Sequence, residues 1–65
     1  MVYSIKAKVF PTKFGKDFSR AVYVTVVANN KEDAIKQGEQ RFKNLCTVLK
    51  KNHNNEFNFT DLTIE

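Results

Sequence analysis

Between Asn30 and Lys51 apolar or small residues recur at Ile35, Gly38, Phe42, Leu45 and Leu49, in steps of three and four. That spacing is the one-sided stripe of an α-helix, and such a stripe has to be buried against a second layer. Ala34 and Cys46 widen it. Asn30 suits the N-cap, and Asp33 at the third helical position can reach back to it. Glu32 and Asp33 in the first turn and Lys50 and Lys51 in the last complement the helix dipole. Glu32–Lys36 and Glu39–Lys43 are i,i+4 pairs in the favourable orientation. Gly38 costs about 1 kcal/mol relative to Ala inside a helix. Close approach to a sheet, with Phe42 one turn on filling the remaining space, is the expected compensation. The segment Asn52-His53-Asn54-Asn55 ends the helix, because Asn tolerates the left-handed backbone of a C-cap.

The second layer comes from three segments with strand patterning. Residues 2–10 alternate, with Tyr3, Ile5, Ala7 and Val9 on one face and Ser4, Lys6 and Lys8 on the other. Pro11 interrupts this strand, and Thr12 to Asp17, with Gly15, forms a hairpin connection longer than two residues. Residues 18–28 are rich in β-branched and aromatic side chains. Phe18, Val22, Val24, Val26 and Ala28 share one parity, interrupted at Arg20, and this valine face is expected to point inward. In residues 57–64 the apolar parity changes from Phe57 and Phe59 to Leu62 and Ile64, which signals a β-bulge near Thr60-Asp61. The expected fold is α+β, in the order β-β-α-β, with a mostly antiparallel three-stranded sheet and one helix on one face. Strand order 2-1-3 is favoured; order 1-2-3 with a parallel pair is the alternative.

Sixty-five residues form one domain, 1–65. A chain of this size buries only about 60% of its unfolded surface, so a partner or a second copy could add stability. Cys46 is the single cysteine and has no internal partner, which points to a reducing, cytoplasmic setting and a buried, inert thiol. Lys6 and Lys8 interrupt the first ten residues, which are not expected to act as a signal peptide. No apolar run reaches the ~20 residues of a membrane span. The net charge of +4 is unevenly distributed. Residues 1–28 hold five cations and one anion, residues 29–51 six cations and three anions, and residues 52–65 only Glu56, Asp61 and Glu65.

Nothing in the chain suggests catalysis. His53, the only histidine, is expected in an exposed loop, two turns from Cys46, without the convergent ligands that zinc or a nucleophile needs. Gly15 and Gly38 are isolated and do not open a helix as a phosphate cradle would. No enzymatic activity, metal or cofactor is therefore expected. Two binding surfaces remain. Lys6, Lys8, Tyr23 and Thr25 should share the sheet face opposite the helix, with Val2, Ala21 and Val27 as exposed apolar neighbours. Lys13, Lys16 and Arg20 place cations among Phe14 and Phe18 around the hairpin, although one of these two rings is expected to cap the core. Cations beside rings suit single-stranded nucleic acid. An uncovered sheet face and edge suit a protein partner or a homodimer.

The stretch Val26-Val27-Ala28-Asn29-Asn30-Lys31-Glu32-Asp33-Ala34-Ile35, followed by Gln37-Gly38-Glu39-Gln40-Arg41-Phe42, resembles the strand-to-helix passage of the small phage-encoded inhibitors of bacterial RNA polymerase. Those proteins have a similar length and the same strand–strand–helix–strand order. The basic hairpin departs from their pattern, so no functional residue is carried over. The resemblance implies a class: a non-enzymatic phage or mobile-element protein that docks on a host protein in the host cytoplasm and modulates or inhibits it. The basic residues imply an acidic surface on that host protein. A small basic nucleic-acid-binding protein, using the open sheet face and the hairpin, is the alternative.

Overall fold

Alternation in the first ten residues produces the strand on which everything else is assembled. A computed structural model describes the whole chain, Met1 to Glu65. It contains β1 (Val2–Pro11), β2 (Arg20–Val27), α1 (Lys31–His53) and β3 (Phe57–Ile64), with a short 3₁₀ turn at Lys16–Phe18. The sheet order is β2-β1-β3, and both pairings are antiparallel. The expected order 2-1-3 is the one found. Phe18 lies in the 3₁₀ turn and not in a strand, so β2 starts two residues later than its apolar pattern suggests. Pro11 ends β1 opposite Phe57, beyond the last β1–β2 pair at Val9 and Arg20. At that point its missing N–H interrupts no bond to β2.

Ile5, Ala7 and Val9 from β1 and Val26 from β2 face the helix and are buried, together with Ala28, Ala34 and Phe42. The valine face of β2 is thus the inner one. The Phe42 and Phe59 rings lie 5.6 Å apart and tie the helix to β3. The buried line on the helix is Ala34, Gly38 and Phe42. Ile35 sits at its margin, 37% exposed, because the stripe is centred one residue earlier in the first turns. Asn30 Oδ1 accepts the Asp33 N–H at 2.9 Å, while no bond returns from the Asp33 carboxylate. Helix α1 runs two residues further than expected and takes in His53; Asn54 follows as the left-handed C-cap, with φ of 55°. Glu32–Lys36 and Glu39–Lys43 do not close as ion pairs; the three that form are Lys6–Glu65, Lys8–Asp61 and Lys50–Glu56. Exposed i,i+4 pairs gain only a few tenths of a kcal/mol, too little to hold two long side chains in place.

The parity change in β3 is a bulge. Thr60 lies opposite Lys8 and Thr63 opposite Lys6, so Asp61 and Leu62 stand against Ala7 alone. Asp61 takes the left-handed conformation with φ of 57°. The extra residue lets Phe57 and Phe59 before it, and Leu62 and Ile64 after it, all pack on the core.

Gly38 is where helix and sheet come closest. A Cβ built there would lie 2.9 Å from Ile5 Cγ2 and 3.2 Å from Cγ1. Ile5 is fully buried, and its branched Cβ leaves it little rotamer freedom. Gly38→Ala is therefore expected to lower stability by up to about 2 kcal/mol in denaturant unfolding, the overpacking cost of about 1–3 kcal/mol less the ~1 kcal/mol of helix propensity gained. In an Ile5→Ala background the same change should be neutral or stabilising; a penalty that persisted there would exclude this contact as its cause. At the bulge, Asp61→Gly is expected to be tolerated, whereas Asp61→Val should cost about 1–2 kcal/mol because a β-branched residue resists positive φ.

Candidate functional site

The antiparallel register places Lys6 directly opposite Tyr23 and Ser4 opposite Thr25. Lys6, Lys8, Tyr23 and Thr25 therefore do share the open sheet face. Val2 and Val27 are also opposed there, each 69% exposed. The cations on this face are not free. Lys6 Nζ lies 3.6 Å from Glu65 Oε1, and Lys8 Nζ lies 3.8 Å from Asp61 Oδ2. The bulge puts Asp61 beside Lys8, so the acids of the C-terminal strand neutralise the lysines of the first. Tyr23 is the only aromatic ring exposed on this face, which is a poor stacking platform for successive bases.

Lys13, Lys16 and Arg20 are gathered at the opposite end of the β1–β2 hairpin, and none of the three is in an ion pair. Arg20 has the parity of Val22 and Val24 and pairs with Val9. It thus belongs to the helix side of the sheet, and the seven candidate residues do not form one surface. Phe14 and Phe18 are 55% and 63% exposed. They pack edge to face on each other, 5.6 Å between centroids, with Lys13 Nζ 5.9 Å from the Phe14 ring. Neither caps the core as expected. Phe10 is the buried ring of this region, and the 3₁₀ turn packs against β1 beside it.

Behind the hairpin lies an apolar groove of about 520 Å³. Val9, Pro11 and Val22 supply its sheet side, Leu45, Leu49 and His53 its helix side, and Phe18 and Arg20 stand at its rim. Its origin is the path of α1. The Gln37 amide donates to the Val27 carbonyl at 2.9 Å, which fixes the early part of the helix over β2. At its other end the His53 ring lies 5.8 Å from Phe57 on β3. The helix crosses the sheet diagonally, packs most heavily on β3, and leaves the start of β2 uncovered. His53 is thus a helical groove residue and not a loop residue. Sequence spacing gives no signal for this groove, because it depends on the angle at which two layers meet.

No three His, Cys, Asp or Glu side chains converge as a metal-ligating group, and no helix is long and apolar enough to cross a membrane. The fold and site define a β-β-α-β domain with a basic, aromatic hairpin beside an open apolar groove. No protein-family model matches the chain, and neither a curated protein nor a solved structure matches it.

Cys46 is partly buried against the core, and desolvation raises its thiol pKa above the ordinary value. The unfolded chain therefore ionises at lower pH than the folded one, and this thiol's contribution to stability is lost as pH rises through the unfolded value towards the folded one. Alkylation by iodoacetamide near the ordinary thiol pKa should be several-fold slower in the native chain than in urea. Equal rates would place the thiol in solvent.

Proposed function

We propose that this chain is a small non-enzymatic binding protein that docks on an acidic surface of another protein and modulates it. The single observation that carries this reading is the hairpin end: two exposed, mutually packed phenylalanines with Lys13 and Lys16 beside them, next to an apolar groove with Arg20 at its rim, and none of the three cations in an ion pair. Exposed rings next to an apolar recess supply the buried contact of a protein interface, and rim cations accelerate encounter with an acidic partner. The reading agrees with the class implied by the resemblance to phage-encoded inhibitors of bacterial RNA polymerase, in which the partner is a host protein. It moves the working surface away from Lys6, Lys8, Tyr23 and Thr25 towards Lys13, Phe14, Lys16, Phe18 and Arg20.

Nucleic-acid binding uses the same cations and is the reading to be separated from it. The Lys6–Glu65 and Lys8–Asp61 pairs weigh against it, since they place carboxylates where a phosphate backbone would lie on the open face. Titration with single- and double-stranded oligonucleotides at two salt concentrations is expected to give no saturable binding; affinity that falls steeply with salt would replace the protein-docking reading. From a nuclease-treated host lysate, the protein should retain a discrete partner. Lys13→Glu, Lys16→Glu and Arg20→Glu combined should reduce that retention at least about tenfold, while Lys6→Ala with Tyr23→Ala should not. The opposite ranking would return the site to the open face.

A further inference from the structure

We infer that the free edge of β2 is a self-association edge, and that two copies of this chain pair β2 to β2 in antiparallel register centred on Tyr23. The edge geometry follows from one backbone pair. The Met1 amino group donates to the Ala28 carbonyl at 3.1 Å, and the Ala28 N–H donates to the Met1 carbonyl at 3.0 Å. In an antiparallel ladder every second residue faces its partner strand. Val22, Val24 and Val26 therefore share their backbone groups with β1, and Ala21, Tyr23, Thr25 and Val27 face away from it. Gln37 already occupies the Val27 carbonyl. Ala21, Tyr23 and Thr25 are left with both backbone groups at a bare edge.

The two edges of the sheet differ. The β3 edge is interrupted by the bulge at Asp61, carries Asp61 and Glu65, and has the outward Phe59 N–H taken by Asn58 Oδ1 at 2.8 Å. Bulges, charges and capped donors keep an edge from pairing. β2 has none of these: its register with β1 runs without a break from Val2–Val27 to Val9–Arg20, and its one charged residue, Arg20, stands at its end. An unbroken edge whose single charge stands at its end is a template for another strand.

A second copy fits that template. With Tyr23 opposite Tyr23 of the other copy, Ala21 lies opposite Thr25, and each opposed pair exchanges two hydrogen bonds. All three free residues are satisfied, and the occupied Val27 carbonyl is not needed. On the helix side Val22 meets Val24, and Arg20 meets Val26, so no like charges are opposed. Each Arg20 then stands near the β2–α1 corner of the other copy, where Glu32 and Asp33 open the helix. The contact is isologous and closes on itself. It also brings the start of each helix towards the open side of the other copy's groove.

Sedimentation or light scattering of the full chain should give twice its 7.5 kDa mass with rising concentration. Thr25→Pro removes an outward N–H without touching the β1 ladder, and should leave a monomer with unchanged far-UV dichroism. If that variant unfolds, cross-linking decides. In a Cys46→Ala background, Tyr23→Cys should form a disulfide-linked dimer under mild oxidation, because opposed hydrogen-bonded residues stand about 5.5 Å apart at Cα; Val27→Cys should not. A wild-type monomer at every concentration, a folded Thr25→Pro dimer, or cross-linking at Val27→Cys as efficient as at Tyr23→Cys would each overturn the inference. A monomer would leave the hairpin docking reading standing, because that surface is tested by partner retention.

Discussion

The helix lies this close to β1 because residue 38 has no side chain. Ile5 fills the space where a Cβ would be, and the buried positions of the helix are set by that one close approach: Ala34 one turn before it, Phe42 one turn after. Held near its start by Gly38 on the central strand and Gln37 on Val27, and at its last residue by His53 against Phe57, α1 crosses the sheet on a diagonal. One helix on a diagonal cannot cover three strands evenly. The uncovered corner is the groove behind the hairpin, so the same contact that builds the core also creates the most prominent recess on the molecule.

Charge follows the chain's topology. The third strand returns antiparallel beside the first and brings its acids to the lysines of the open face. This local compensation removes the excess positive charge from one side of the sheet and leaves it at the hairpin and on the outer surface of the helix. Exposed ion pairs of this kind contribute little to stability, and their larger effect is on which surface presents a positive field to a partner.

Most of the fold was legible in the chain. The three-and-four spacing gave the helix, the alternation in residues 2–10 gave the central strand, and the parity change from Phe59 to Leu62 located the bulge. The misplacements have physical causes. Phe18 continues the apolar parity of β2, but the chain is still turning there, and its ring ends beside Phe14 in solvent. His53 looks like part of an Asn-rich loop, yet the helix persists until Asn54 supplies the left-handed cap. Charge groups Arg20 with the hairpin lysines, while strand parity puts it on the helix side. The Lys6–Glu65 and Lys8–Asp61 pairs join residues more than fifty positions apart, and only the strand order brings them together.

The bulge in β3 also governs how far any assembly of this chain can grow. A sheet with two receptive edges behaves as a bifunctional building block and adds copies without limit, the route to fibres. Here the β3 edge is broken by the bulge, carries acids and has an outward donor satisfied by its own Asn58, so under the pairing inferred above only the β2 edge would be offered to another copy. In a dimer joined at β2, one surplus residue at Asp61 would act as a chain terminator, so that pairing on one flank of the sheet would not commit the protein to polymerise.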